Sequence, residues 1–175
     1  VLVGLGAAFV AEREVRRVLG ERTAAHLLAE ARMAAPWIQS RPSAEAGGIA
    51  TALAAASEAD IVVLAGSLTA SSPAALPIVA DSTGRGMDRD TILGLPEIRE
   101  AWTRGEGTWI GREPCAHATE GGRPCVEDGV AVAVRWQHGG TVGLVRLRRD
   151  LVEVDRAVAT VRRVLACAGF VGLMA

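Results

Sequence analysis

Residues 130–150, VAVAVRWQHGGTVGLVRLRRD, decide the fold. They hold two alternating apolar runs, Val130 to Gln137 and Thr141 to Arg148, turning at His138-Gly139-Gly140, which is the signature of a β-hairpin. Side chains alternate along a strand with period two. A turn of even residue count within that stretch puts Val130, Val132, Val134 and Trp136 on the same face as Thr141, Gly143, Val145 and Leu147. That face is almost wholly apolar and has to be buried. The other face sets Ala131, Ala133, Arg135 and Gln137 beside Val142, Leu144, Arg146 and Arg148. Small residues next to guanidinium groups suit a shallow polar cavity as well as a solvated surface.

Working outward, Ile61 to Ala65 and Ile78 to Ala80 are strand-like and are separated by the turn-rich Gly66 to Pro77, with Asp81-Ser82-Thr83-Gly84 closing the second. Leu95 to Trp102 reads as a short helix with Pro96 in its first turn, where the missing N–H does no harm. Thr108-Trp109-Ile110 is a further strand. At the front, apolar or small residues recur at helical spacing between Ala7 and about Ala35 (Val15, Val18, Leu19, Leu27, Leu28, Ala31), and Pro36 limits the run. That helix, rising about 1.5 Å per residue, exceeds what a small core needs, so a stalk or dimer helix is its expected use. A short Ala-rich helix follows from Ser43 to about Ser57. Leu151, Val154, Val158, Val161 and Leu165 continue the hairpin into a last helix.

The 175 residues are 50% hydrophobic and 22% charged with a net charge of −1, enough for one domain with a sizeable core and no basic footprint for nucleic acid. Every basic residue is Arg, a bias that fits GC-rich codon usage. Val1 to Val10 and Val164 to Ala175 carry no charge, and each is about half of the roughly 20 apolar residues that a bilayer crossing needs. The expectation is that residues 1–10 end a first transmembrane helix, 11–163 form a domain outside the membrane, and 164–175 begin a second transmembrane helix. The plainer alternative is a pair of buried terminal helices in a soluble domain.

The stretches VLAGSLTASSPAALPIVADSTG, LPEIREAWTRGEGTWIGRE and VAVAVRWQHGGTVGLVRLRRDL resemble the extracytoplasmic PAS-like (Cache-type) sensor domain of bacterial membrane-bound sensor histidine kinases of the phosphate-regulon kinase type. Asp81-Ser82, Pro96-Glu97-Ile98, Gly107, Arg112 and Arg146 carry the similarity, which spans roughly Asp60 to Val164. Leu95 stands where the family usually has Arg. The resemblance implies an α+β fold: a central antiparallel sheet of about five strands, with long N- and C-terminal helices leading to membrane segments. It also implies a homodimer through those helices, placed at the bacterial inner membrane with this segment in the periplasm. A small-molecule or protein signal would then control autophosphorylation of a kinase part that carries ATP and Mg and passes phosphate to a response regulator.

No phosphate loop, HExxH, GxSxG or CxxC is present, so neither catalysis nor a cofactor is expected of this segment itself. His26, His117 and His138 fall on a stalk helix, a loop and a hairpin tip, an arrangement that does not suggest a shared metal site. The residues expected to meet a ligand are Asp81, Ser82, Trp109, Arg112, Arg135 and Arg146; three guanidinium forks in one enclosed site would favour an anion. The competing role for Asp81-Ser82 is turn chemistry, and for Arg112 a pair with Glu113 or Asp81. Cys115 and Cys125 bracket a Gly- and Pro-rich loop. A disulfide there is preferred and would contribute on the order of 2 to 3 kcal/mol; a metal held by Cys115, His117 and Cys125 is the rival, lacking a fourth ligand. The alternative to a sensor is a ligand-independent dimerisation or scaffold module of a chemoreceptor or other membrane protein.

Overall fold

The computed structural model describes residues 2–40, 43–82, 89–114, 126–152, 156, 158–160 and 163. Among the described residues, the helices α1 (Leu2–Gln39), α2 (Ser43–Ser57), α3 (Arg89–Gly94) and α4 (Pro96–Arg104) accompany five strands. The strands are β1 (Asp60–Ser67), β2 (Ile78–Asp81), β3 (Glu106–Pro114), β4 (Val126–His138) and β5 (Thr141–Asp150). They form one antiparallel sheet in the order β2-β1-β5-β4-β3. The protein is thus α+β with a five-stranded antiparallel sheet and a long N-terminal helix.

The chain divides into two compact units, residues 1–23 with 151–175 and residues 24–150. In the first, α1 carries a charged fork: the Arg17 guanidinium bonds Glu14 at 2.5 Å and Glu21 at 2.8 Å. These pairs are one turn apart on an exposed helix face. The Arg17 bond holds the Glu14 carboxyl below its usual range and raises Arg17. Beyond β5, Val152, Arg156, Val158, Ala159, Thr160 and Arg163 are helical. Among the described residues no helix is long and apolar enough to cross a membrane.

The second unit is built on the hairpin. Gly139 and Gly140 have φ of 54° and 80°, the positive values that a two-residue hairpin turn demands. His138 then pairs with Thr141, and the expected faces follow: Val132 opposite Leu147, Val134 opposite Val145, Ala133 opposite Arg146. On the first face Ile61 and Val63 of β1 extend the apolar surface. The second half of α1 buries Ala24, Leu27, Ala31, Ala34 and Ile38, at steps of three and four. A cavity of about 410 Å³ brings Ala34 and Trp37 of α1, Leu53 and Ala56 of α2, and Ile61 and Leu147 of the sheet to one place, so both helices cover this face.

Pro36 does not end α1, which runs on to Gln39. A proline costs its own N–H bond and crowds the preceding turn. Here it sits in the last turn, its carbonyl still accepts the Ser40 N–H, and the neighbouring Ala35 and Ile38 are buried. The 3-10 turn Pro73–Ala75 and α3 have no counterpart in the sequence reading, and β3 and β4 are longer than it gave.

Arg32 of α1 reaches Glu106 of β3 through two bonds of 2.6 Å, a planar fork that holds the Glu106 carboxyl below its usual range and raises Arg32. A depressed carboxyl stabilises the fold above its unfolded pKa, and that contribution fades as pH falls through the folded value. Both side chains are more than a third exposed, so solvent keeps it small. Glu106→Gln should therefore lower the melting temperature slightly at pH 7 and leave it unchanged near pH 2; thermal denaturation at the two pH values checks this, and an equal loss at both would assign the effect to packing.

Candidate functional site

The second sheet face is not an open cavity. Gly107 explains why: a Cβ there would lie 2.1 Å from the Glu97 carbonyl oxygen and 2.9 Å from the Ala101 nitrogen, so α4 rests directly on β3. Ala131 and Ala133 leave room for a helix, and the space is filled by Ile92 of α3, Ile98 and Ala101 of α4, and Val62, Leu64, Val142 and Leu144 of the sheet. Pro96 starts α4 with a fixed φ, and Gly105 ends it in the left-handed region at φ 91°, its N–H bonded to the Ala101 carbonyl. A helix so bounded places its first-turn acid, Glu97, over the middle of the sheet.

Glu97 and Arg146 are 0% and 1% exposed, and the Arg146 Nε donates to Glu97 Oε1 at 2.8 Å. The second carboxylate oxygen, Oε2, is buried without a hydrogen-bond partner. Next to this pair on the same face, the Arg135 guanidinium lies 4.5 Å from the centre of the Trp102 ring and donates to the Trp102 carbonyl at 2.9 Å. Arg148, 5% exposed, bonds Asp150 at 2.7 Å and approaches Asp60 at 3.5 Å. Three arginines of one face are thus consumed by the fold, and each fixes a different neighbour.

The six residues expected at a ligand do not converge. Arg135 and Arg146 share the face beneath α4. Trp109 is on that face at the β3 edge, its ring turned over Gly111. Asp81 ends β2 and Ser82 follows it, at the opposite edge, four strand spacings away, or about 19 Å. Ser82 ties the end of β2 to β1: its Oγ accepts the Ile61 N–H at 2.8 Å and its N–H donates to the Ile61 carbonyl. Arg112 lies on the reverse face of β3, paired with Asp128 at 3.2 Å and largely exposed. The expected enclosure of three guanidinium forks is replaced by a buried ion pair, one stacked Arg and one surface Arg.

Cys115, His117 and Cys125 lie outside the described residues. Among the described residues, no group of three or more His, Cys, Asp or Glu could hold a metal. Sequence reasoning places Glu97 in the Pro96-Glu97-Ile98 motif but misses its partner, Arg146, 49 positions away. No family model matches the chain, and no curated protein matches it.

A buried pair stripped of one member leaves an uncompensated charge, which costs about 3–5 kcal/mol, whereas replacing both by apolar residues of similar volume is close to neutral. Glu97→Ala should destabilise the protein by that amount, and the double variant Glu97→Leu, Arg146→Met should return to within about 1 kcal/mol of the parent. Urea denaturation measures both. A double variant as weak as the single one would show that the pair is not held in a dry site.

Proposed function

We propose that the chain is the extracytoplasmic, PAS-like (Cache-type) input domain of a bacterial sensor histidine kinase, anchored at the inner membrane and working as a homodimer through its long helices. The single observation that carries this reading is the Glu97–Arg146 pair. The two residues come from separate motifs of the resemblance, Pro96-Glu97-Ile98 and the Arg-bearing final strand, and they meet at 2.8 Å in the core. The element order supports it too: a long helix, a short helix, two strands, a helical connection, a strand and a hairpin.

In this reading the sheet and α4 form the input. Arg146 sits on β5, and β5 leads at Asp150 into the helical residues that begin at Val152. A signal that shifts α4 pulls on Arg146 through a charge-assisted bond, and the displacement reaches the end of β5 because a paired strand moves as a unit. The kinase part of the parent protein, with its ATP and Mg, would convert the displacement into a change of autophosphorylation and hand the phosphate to a response regulator. Because Arg146 is covered, a protein or a molecule that displaces α4 is better supported as the signal than a small anion held by that guanidinium.

Full-length protein in membrane vesicles tests this through autophosphorylation with labelled ATP. The double variant Glu97→Leu, Arg146→Met, if folded, should lock output at one level, high or low. Unchanged regulated output would favour the scaffold reading, and a full-length protein without kinase activity would end the proposal.

A further inference from the structure

At the hairpin-tip end of the first sheet face there is a cavity of about 510 Å³. It lies where α1 ends and α2 begins, against strands β1, β2, β4 and β5, all within residues 24–150. Its wall is apolar at Ile38, Ala46, Ala65 and Val79 and polar at Gln39, Trp136 and Thr141, with the exposed His138 beside them. Roughly 300–1,000 Å³ of space with apolar walls and a few placed polar groups is what a small-molecule site requires. Two features separate this space from a packing defect. A Cβ at Gly143 would come 2.3 Å from Trp136 Cζ2 and 2.4 Å from Cε2, so bare backbone lets the indole ring lie directly on β5. A side chain there would lift the ring into the space above. The ring has one donor, Nε1–H, bonded to that same Cε2 carbon, and Nε1 is buried with no hydrogen-bond partner. A buried donor left unmade costs stability, and the group that relieves it is an acceptor.

We propose that this cavity binds a small, uncharged, largely apolar compound whose carbonyl oxygen accepts the Trp136 N–H. The oxygen is chosen by the donor that waits for it. The absence of charge follows from the wall, whose polar side chains at Gln39, Trp136 and Thr141 are an amide, an indole and a hydroxyl. A carboxylate moved out of water among such groups would keep its desolvation cost without a counter-ion, whereas a ketone or amide oxygen needs one hydrogen bond. The body of the compound meets Ile38, Ala46, Ala65 and Val79, and an aromatic body also gains a ring partner in Trp136. Gln39 and Thr141 can each donate or accept, which leaves room for one further polar group on the ligand. The cavity is on the face opposite α4, so it is a site separate from the input proposed above and stands with or without the sensor reading.

Nuclear magnetic resonance of the isotope-labelled chain tests this, because its four tryptophans give separate indole N–H signals. The signal missing from Trp136→Phe belongs to Trp136. Titration with benzylacetone, a neutral phenyl ketone, should move that signal downfield, as a new hydrogen bond does, and leave those of Trp37, Trp102 and Trp109 in place. Butylbenzene has the same shape without the oxygen, and hydrocinnamate has it with a charge; each should bind about tenfold more weakly than the ketone. In Trp136→Phe, which keeps a ring, the ketone should lose its advantage over the hydrocarbon, an effect that a purely structural role for the ring would not produce. Ala65→Leu fills the cavity from β1 and should abolish binding while the Trp136 signal persists; Val79→Phe, on the edge strand β2, does the same should the first variant fail to fold. A Trp136 signal that no compound moves, or that all three move alike, would overturn the proposal, as would ketone binding that survives both cavity-filling changes.

Discussion

The structure turns on one ion pair in a dry place. Glu97 and Arg146 are both fully covered, and the surroundings are Ile98, Ala101, Leu144 and Ala133. Moving two charges out of water costs several kcal/mol each, and only a short, well-aligned bond returns most of it. The geometry is therefore restrictive: α4 has to sit where Glu97 reaches Arg146, and the bare backbone of Gly107 lets it come that close. Arg135 fixes the far end of the same helix through the Trp102 ring and carbonyl. With α4 fixed at both ends, the apolar residues beneath it have one arrangement to fill.

What the sequence made legible is what depends on short-range periodicity. The hairpin, its turn and the division of its side chains between two faces follow from period two alone, and the register has Val132 opposite Leu147 and Ala133 opposite Arg146 as that rule requires. α2 and the position of α4 were readable from Ser43 and Pro96, which mark helix starts locally. α1 ran past Pro36 because burial of Ala35 and Ile38 outweighs one lost bond in a final turn. The PAS-like reading remains a proposal supported by the pair and the element order.

The occupant of the second face was not legible. Ala131, Ala133 and Gly107 signal empty volume, and volume alone does not say whether a helix or a ligand fills it. Glu97 in a first helical turn reads as an ordinary complement to the helix dipole, and nothing local connects it with a strand 49 residues away. Trp109 and Arg112 are three residues apart, so alternation alone places them on opposite faces. The separation of Asp81 from Trp109 needed the strand order, which pattern within each strand does not contain.

The central claim is that the buried pair makes α4 an integral part of the sheet rather than a lid upon it. Native-state hydrogen exchange measures this directly, by comparing the opening free energies of the Ile98 to Trp102 amides with those of the central strand β5. The account predicts that α4 exchanges only with global unfolding, at the same free energy as Leu144 to Leu147. Exchange of α4 through a separate opening several kcal/mol below that of β5 would contradict it.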